Sequence, residues 1–238
     1  MRDSMKLAIM QPYLFPYIGY FQLCKVADKF VFLDDVNFIS KGWINRNNIL
    51  LNGNPHRFTV PLKNASQNRK INTIELLIDA KWTINFFKIL EQAYKKAPYY
   101  NSVITLIREL FAAEITDIGS LAKKSIIKTC QYIGLPTLFI DSSEQYSNND
   151  LKGEARIINI CCQEKTEIYF NPIGGMELYD SKFFKDKNIE LRFIKSLPVT
   201  YNQFENEFVP SLSIIDVLMF NSIEQVREIL NQYELIKK

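Results

Sequence analysis

The first 35 residues constrain the fold more than any other stretch of the 238-residue chain. "KLAIMQP" (6–12) is a short apolar run closed by a proline and reads as a buried strand. "IGYFQLCKVAD" (18–28) sets Ile18, Phe21, Leu23 or Cys24, and Ala27 at helical spacing. "KFVFLDD" (29–35) is a second apolar run, ending in two carboxylates. Parallel strands need a crossover, usually a helix, so strand, helix and strand in this order predict the elementary unit of a parallel sheet. The expected class is α/β with a mostly parallel sheet.

The rest of the chain extends that pattern. "INRNNILLNGNPHRFTVPLKN" (44–64) reads as a hairpin turning at Asn52-Gly53-Asn54, and "NTIELLI" (72–78) as a further strand. Helical periodicity covers 81–98, 102–113 and 117–133, the last stopped by Gly134 and Pro136. Strands are predicted at 137–141, 166–170 and 189–194, and helices at 152–164, 176–184, 212–220 and 222–235. With no repeat, low-complexity tract or linker, the reading is one α/β domain over 1–238 with a helical insertion at about 81–133.

Bulk properties exclude several classes. A net charge of +3 is too small to argue for nucleic acid or an anionic membrane surface. No run approaches the ~18–20 apolar residues of a spanning helix, and the opening "MRDSMKLAIMQP" does not read as a secretory leader. Cys24, Cys130, Cys161 and Cys162 lack CxxC spacing, and a single histidine argues against structural zinc. Free thiols and a cytoplasmic location are expected. His56 begins an apolar alternating row with Phe58, Val60 and Leu62, so it reads as structural, and a His-based triad is not expected.

Five places carry candidate chemistry. Asp34 and Asp35 end a strand, where open parallel sheets bind ligands, but neighbouring strand residues point to opposite faces. "GWINRNNI" (42–49) offers Asn45 and Arg46, an amide for sugar hydroxyls and a planar fork for phosphate, although a solvated hairpin face explains it equally well. "NPIGGMELYD" (171–180) places Gly174 and Gly175 between a strand and a helix, a turn whose amides suit an anion. "SLSIIDVLMF" (211–220) holds Ser213 and Asp216 at capping-box spacing, as does "SIEQ" (222–225). The aromatic segment "MQPYLFPYIGYF" (10–21) is the first strand-to-helix turn. Pro12 and Pro16 stiffen it, Gln11, Tyr13 and Tyr17 offer polar groups and flat faces, and Gly19 permits close approach.

Taken together, "IMQPYLFPYIGYF", "DKFVFLDDVNF", "NRNNI", "FTVPLK", "AYKKAPYY", "NPIGGMELYD" and "FVPSLSIIDVLMFNS" make the chain resemble the WbqC-like proteins of bacterial surface-polysaccharide clusters, from about residue 7 to 222. The resemblance implies a role in O-antigen assembly, with aminoacyl or glycyl transfer to the amino group of a nucleotide-linked amino sugar. It adds Lys63, Asn171 and Tyr179 to the candidate binding residues. Asp34 or Asp35 would accept the amine proton. The partners it implies are the sugar nucleotide and an activated acyl or amino-acid donor: a thioester, an adenylate or an aminoacyl-tRNA. It leaves the cofactor open. "PYIGYF…ADKFVFLDDVN" is also similar to the opening of the adenylate-forming nucleotidyltransferases, which implies a Rossmann-like nucleotidyltransferase-type core. Tyr17 and Tyr20 stand where those enzymes carry two histidines, and tyrosine has no cationic form at pH 7, so that likeness extends to the fold alone. Two rival readings are a glycosyltransferase, disfavoured because the acids are adjacent rather than alternating, and a non-catalytic sugar-nucleotide binder.

Overall fold

The computed structural model describes residues 4–205 and 207–238. The predicted opening unit is present as β1 (Lys6–Met10), α1 (Ile18–Val26) and β2 (Lys29–Phe32), with β1 and β2 parallel and Leu7 opposite Lys29. An antiparallel ribbon follows, β3 (Arg46–Leu51) and β4 (Asn54–Thr59). Asn52 and Gly53 both have positive φ, 51° and 74°, as the primed hairpin turn demands. Three helices come next, α2 (Ala80–Tyr94), α3 (Tyr100–Ala112) and α4 (Ile118–Ile133). Gly134 ends α4 in the left-handed conformation, as the Gly-x-Pro sequence predicts.

The chain then returns to the sheet through β5 (Leu138–Ile140), α5 (Gly153–Gln163), β6 (Ile168–Pro172), α6 (Ser181–Lys185) and β7 (Glu190–Ser196). It finishes with α7 (Ile214–Phe220), α8 (Ile223–Ile229) and β8 (Tyr233–Lys237). The six-stranded sheet runs β5-β2-β1-β6-β7-β8. Numbering only its own strands in chain order gives 3-2-1-4-5-6, the order of doubly wound dinucleotide-binding sheets. The first five of these are mutually parallel, and β8 closes one edge antiparallel to β7. Strand order reverses between β1 and β6, and ligands of such sheets bind at the carboxyl ends on either side of that reversal.

Period-two alternation divides the core between two faces. Ala8, Phe30, Phe32, Ile168 and Phe170 belong to one cluster with residues of α1–α4, α7 and α8. Leu7, Ile9, Val31, Tyr169, Leu191 and Phe193 belong to the other, with Ile157, Ile160 and Cys161 of α5 and Phe184 of α6. Helices therefore cover both faces, as a parallel sheet buried on both sides requires. Among the described residues, no helix is long and apolar enough to cross a membrane.

Four expectations are revised. The inserted part is longer than 81–133: everything from the end of β2 to the start of β5 is one crossover, carrying the ribbon and three helices. Residues 72–78 form no sheet strand; they make a 3-10 turn at Ile71–Thr73 and isolated bridges, Leu62 with Leu76 and Glu75 with Asp117. The region predicted as helix 176–184 divides into a 3-10 helix, Ile173–Leu178, and α6. The helix predicted to run to 235 stops at Ile229, because the free edge of β7 offers backbone partners and Tyr233–Lys237 pair with it.

Candidate functional site

The aromatic turn after β1 is built around one strained residue. Phe15 has φ of 42°, an uncommon value for a bulky side chain, and is itself almost fully buried. Side chains from three distant segments hold its peptide groups. Ser125 Oγ of α4 accepts from Phe15 N at 3.1 Å, while Asn47 Nδ2 of β3 and Ser213 Oγ each donate to Phe15 O at 2.7 Å. Asn47 Nδ2 also reaches Leu14 O at 3.1 Å, and Tyr20 Oη donates to Gln11 O at 2.9 Å. Such conformations persist only where the surroundings over-determine them, and they concentrate at functional sites.

This bend forms one wall of a cavity of about 230 Å³ lined by Tyr13, Pro16, Tyr17, Trp43, Asn47 and Ser211. Three aromatic faces thus meet around a space that suits a planar or pyranose ring. Tyr17 and Trp43 are 41% and 42% exposed, far more than their size predicts for core residues, so this is an open box and not a packed cluster. Burial holds the Tyr13 hydroxyl above its ordinary range, aided by neighbouring Tyr17, and partial burial raises Tyr17 likewise. Tyr17 is set in place by Gly19: a Cβ there would overlap Tyr17 Cε2 and lie 2.7 Å from Ser196 Oγ.

Part of the Asn/Arg patch reaches the box. Asn47 belongs to its lining, and Leu14 N donates to Trp43 O at 3.1 Å. The ribbon register sets Arg46 opposite Thr59 and Asn48 opposite Arg57, so these four share one face. Arg46 Nε donates to Gly42 O, beside Trp43, at 2.9 Å. The Arg57 guanidinium lies 5.9 Å from the centre of the Trp43 ring. Neither guanidinium lines the cavity, and both lie on the ribbon face opposite to Asn47; Arg57 approaches the box only through the Trp43 ring. Asn45 instead braces the ribbon, donating to Val60 O at 2.8 Å. Gln11 Oε1, where β1 ends, is buried without a hydrogen-bond partner, an unmet acceptor of the kind a ligand hydroxyl satisfies.

Asp34 and Asp35 do not end the strand as expected, since β2 stops at Phe32, and from the loop that follows they point to opposite layers. Asp34 accepts from Lys123 Nζ of α4 at 2.9 Å and Ser142 Oγ at 2.7 Å. Both oxygens of Asp35 take Arg156 Nη2 of α5 at 2.7 Å, and Ser143 also donates to it. Adjacent acids and adjacent serines therefore fasten one helix from each face to the carboxyl edge of the sheet. Burial pushes the Asp35 carboxyl up, but the hydrogen bonds from Arg156 and Ser143 and the Arg156 charge outweigh it and hold it below the usual range. Neither acid lines the aromatic box.

The twin-glycine turn follows β6, next to β1 in the sheet, yet it lines no wall of the box, and among the described residues no hydrogen bond joins the two. Asn171 turns inward: its Nδ2 donates to Tyr169 Oη at 2.9 Å, and Gly175 lies so close that a Cβ would overlap Asn171 Oδ1. Gly175 is thus explained by packing. Gly174 and Gly175 lie inside the 3-10 helix Ile173–Leu178, which is too short to present the predicted helix N-terminus. Tyr179 stacks edge-on to Tyr169 and Phe184 in the second core, and Lys63 is an exposed partner of Glu75 at 2.9 Å.

The Ser213–Asp216 capping box is not formed, whereas Ser222 and Gln225 do make theirs. Ser213 caps α7, accepting from Ile215 N at 3.2 Å, and holds Phe15. Asp216 turns inward because the core offers it Tyr94 Oη at 2.8 Å and Tyr201 Oη and Gln203 Nε2 at 2.6 Å. Sequence reasoning missed Trp43, Arg57 and Ser211 as site residues; Trp43 was inside a quoted motif, and only the fold brings Ser211 to it.

The model of the WbqC-like protein family matches residues 11–228. A curated relative, the uncharacterized protein Rv1507c of Mycobacterium tuberculosis, is 28% identical over 220 residues, covering 91% of this chain and 93% of that protein. No solved structure matches.

Proposed function

The chain belongs to the WbqC-like protein family, and from that premise we propose that it is an enzyme of bacterial surface-polysaccharide assembly that binds a nucleotide-linked amino sugar in the aromatic box and acylates its amino group. The observation that most supports this reading is the box itself. Tyr13, Tyr17 and Trp43 enclose about 230 Å³ after the first strand of a doubly wound sheet, with Arg46 and Arg57 outside the cavity, on the adjoining ribbon, for a diphosphate.

Acyl transfer to an amine needs a proton acceptor and donors for the carbonyl oxygen. Neither acid lines the box, so a carboxylate would receive the proton only through an intervening group, and Asp34 suits that role better than Asp35. Its partner Lys123 also holds Asp141 at 3.0 Å, so Lys123 keeps a carboxylate when Asp34 is released, whereas Arg156 has no second carboxylate within reach among the described residues. The Tyr13 and Tyr17 hydroxyls supply donors.

The test is to incubate the purified protein with UDP-glucosamine and a panel of acyl thioesters, aminoacyl adenylates and aminoacyl-tRNAs, and to weigh the sugar product. An acylated mass is expected. A folded protein that neither binds nor acylates any amino-sugar nucleotide refutes the reading. Tight calorimetric binding without turnover favours a second one, a non-catalytic sugar-nucleotide binder, which the engagement of both carboxylates in ion pairs supports.

A further inference from the structure

Behind Tyr17 lies a second cavity, a groove of about 430 Å³ between the end of β7 and the segment leading into α7. Its walls include Ile18, Leu197, Val199, Phe208, Leu212 and Val217. It shares Tyr17 and Ser211 with the aromatic box, so the two spaces are separated by a single ring and one residue. Ser211, like Phe15, is a non-glycine residue with positive φ, 60°, which puts two strained positions at this junction. Ser196 Oγ, which donates to Gln22 Oε1 at 2.6 Å, also lies against Gly19 and lines the groove.

The lining decides what the groove accepts. Among its described residues there is no Asp, Glu, Lys, Arg or His. A phosphate or carboxylate placed there would lose its hydration without a partner. Apolar walls carrying a few neutral hydroxyls, from Ser196, Thr200, Tyr201 and Ser211, match a flexible uncharged chain containing amide groups.

We propose that this groove is the donor subsite and holds the uncharged amide-containing arm of an acyl thioester. The assignment rests on the sugar-nucleotide reading of the adjoining box, and the two together put the transfer at the Tyr17–Ser211 wall. There the sugar nitrogen attacks the thioester carbonyl, the C–N bond forms, the C–S bond breaks, and the thiol leaves with the proton lost by the amine.

The probes are S-octanoyl-N-acetylcysteamine for the arm, geraniol for an isoprenoid chain and UDP-glucosamine for the box, each titrated separately by NMR against the full chain. Val199→Asp puts a charge on a half-buried groove residue outside regular structure, with Val199→Leu as the conservative partner. The expected result is saturable binding of the thioester, weakened about tenfold or more by Val199→Asp and retained by Val199→Leu, with UDP-glucosamine affinity unchanged in both. Failure of the thioester to bind the wild-type protein overturns the proposal, as does indifference to Val199→Asp. Binding of geraniol but not of the thioester overturns the thioester assignment. Thioester binding without UDP-glucosamine binding supports the groove and refutes the box.

Discussion

Replacing Gly19 with alanine separates the site from the scaffold. Gly19 is the second residue of α1 and has no unusual φ, so an alanine backbone fits there. Helix propensity favours the change by up to ~1 kcal/mol. Against that, the new Cβ would lie 2.7 Å from Ser196 Oγ and displace it from Gln22, a neutral hydrogen bond worth about 1 kcal/mol. These cancel, so Tm should move by less than about 3 °C for a domain of this size. The Tyr17 ring is the exposed end of a flexible side chain and must swing away from the overlapping Cβ. Losing one stacking face costs ~1–3 kcal/mol of ligand affinity, about 5- to 150-fold in Kd. Calorimetry with UDP-glucosamine beside a thermal melt gives both numbers. An unchanged Kd would remove Tyr17 from the binding wall, and a Tm drop beyond about 6 °C would make Gly19 a packing residue first.

Arg156→Met leaves Asp35 buried without its cation and should cost about 3–5 kcal/mol at pH 7 by urea unfolding. The wild-type pair, with its depressed Asp35 pKa, stabilises above the unfolded Asp value of about 3.9 and loses that stability as pH falls through the lower folded value, so the pair's contribution should persist down to about pH 4 and fade only below it. Asp216 is the opposite case: burial raises its pKa against the hydrogen bonds from Tyr201, Tyr94 and Gln203, so its contribution is full below about pH 3.9 and is lost as pH rises through the folded value. Asp216→Asn should flatten that decline in urea midpoints measured between pH 4 and pH 7; an unaltered slope would show that another group titrates. Arg46→Ala, losing one half-buried hydrogen bond to Gly42, should weaken UDP-glucosamine binding by calorimetry while the melt changes little, and an unchanged affinity removes Arg46 from the site.

The parallel sheet was legible because its strands are short apolar runs buried on both faces and its helices carry clear caps, such as Asp117 and Gly134 around α4. β8 was not, because Tyr233–Lys237 has little pattern of its own and becomes a strand through the exposed ladder of β7. The bend and the Asn/Arg motif could be flagged from residue types, since aromatic rings, prolines and guanidinium groups are costly choices for an ordinary turn. Their partners could not. Ser211 and Ser213 are far away in sequence, and the inward rotation of Asp216 depends on a hydroxyl from α2 and two donors in a loop. The adjacent acids do diverge to opposite layers, but from a loop beyond β2 and not by strand alternation, and nothing local announces Lys123 and Arg156, which lie 89 and 121 residues away.

The fastening of Phe15 has a consequence for biosynthesis. Its three clamps are 32, 110 and 198 residues distant along the chain. During vectorial synthesis the first strand and helix emerge early, but the bend between them lacks its last tether until Ser213 has cleared the ribosome. A nascent chain stopped short of α7 can therefore assemble much of the sheet and still have no formed pocket, which makes ligand binding a late event and a sensitive reporter of complete synthesis.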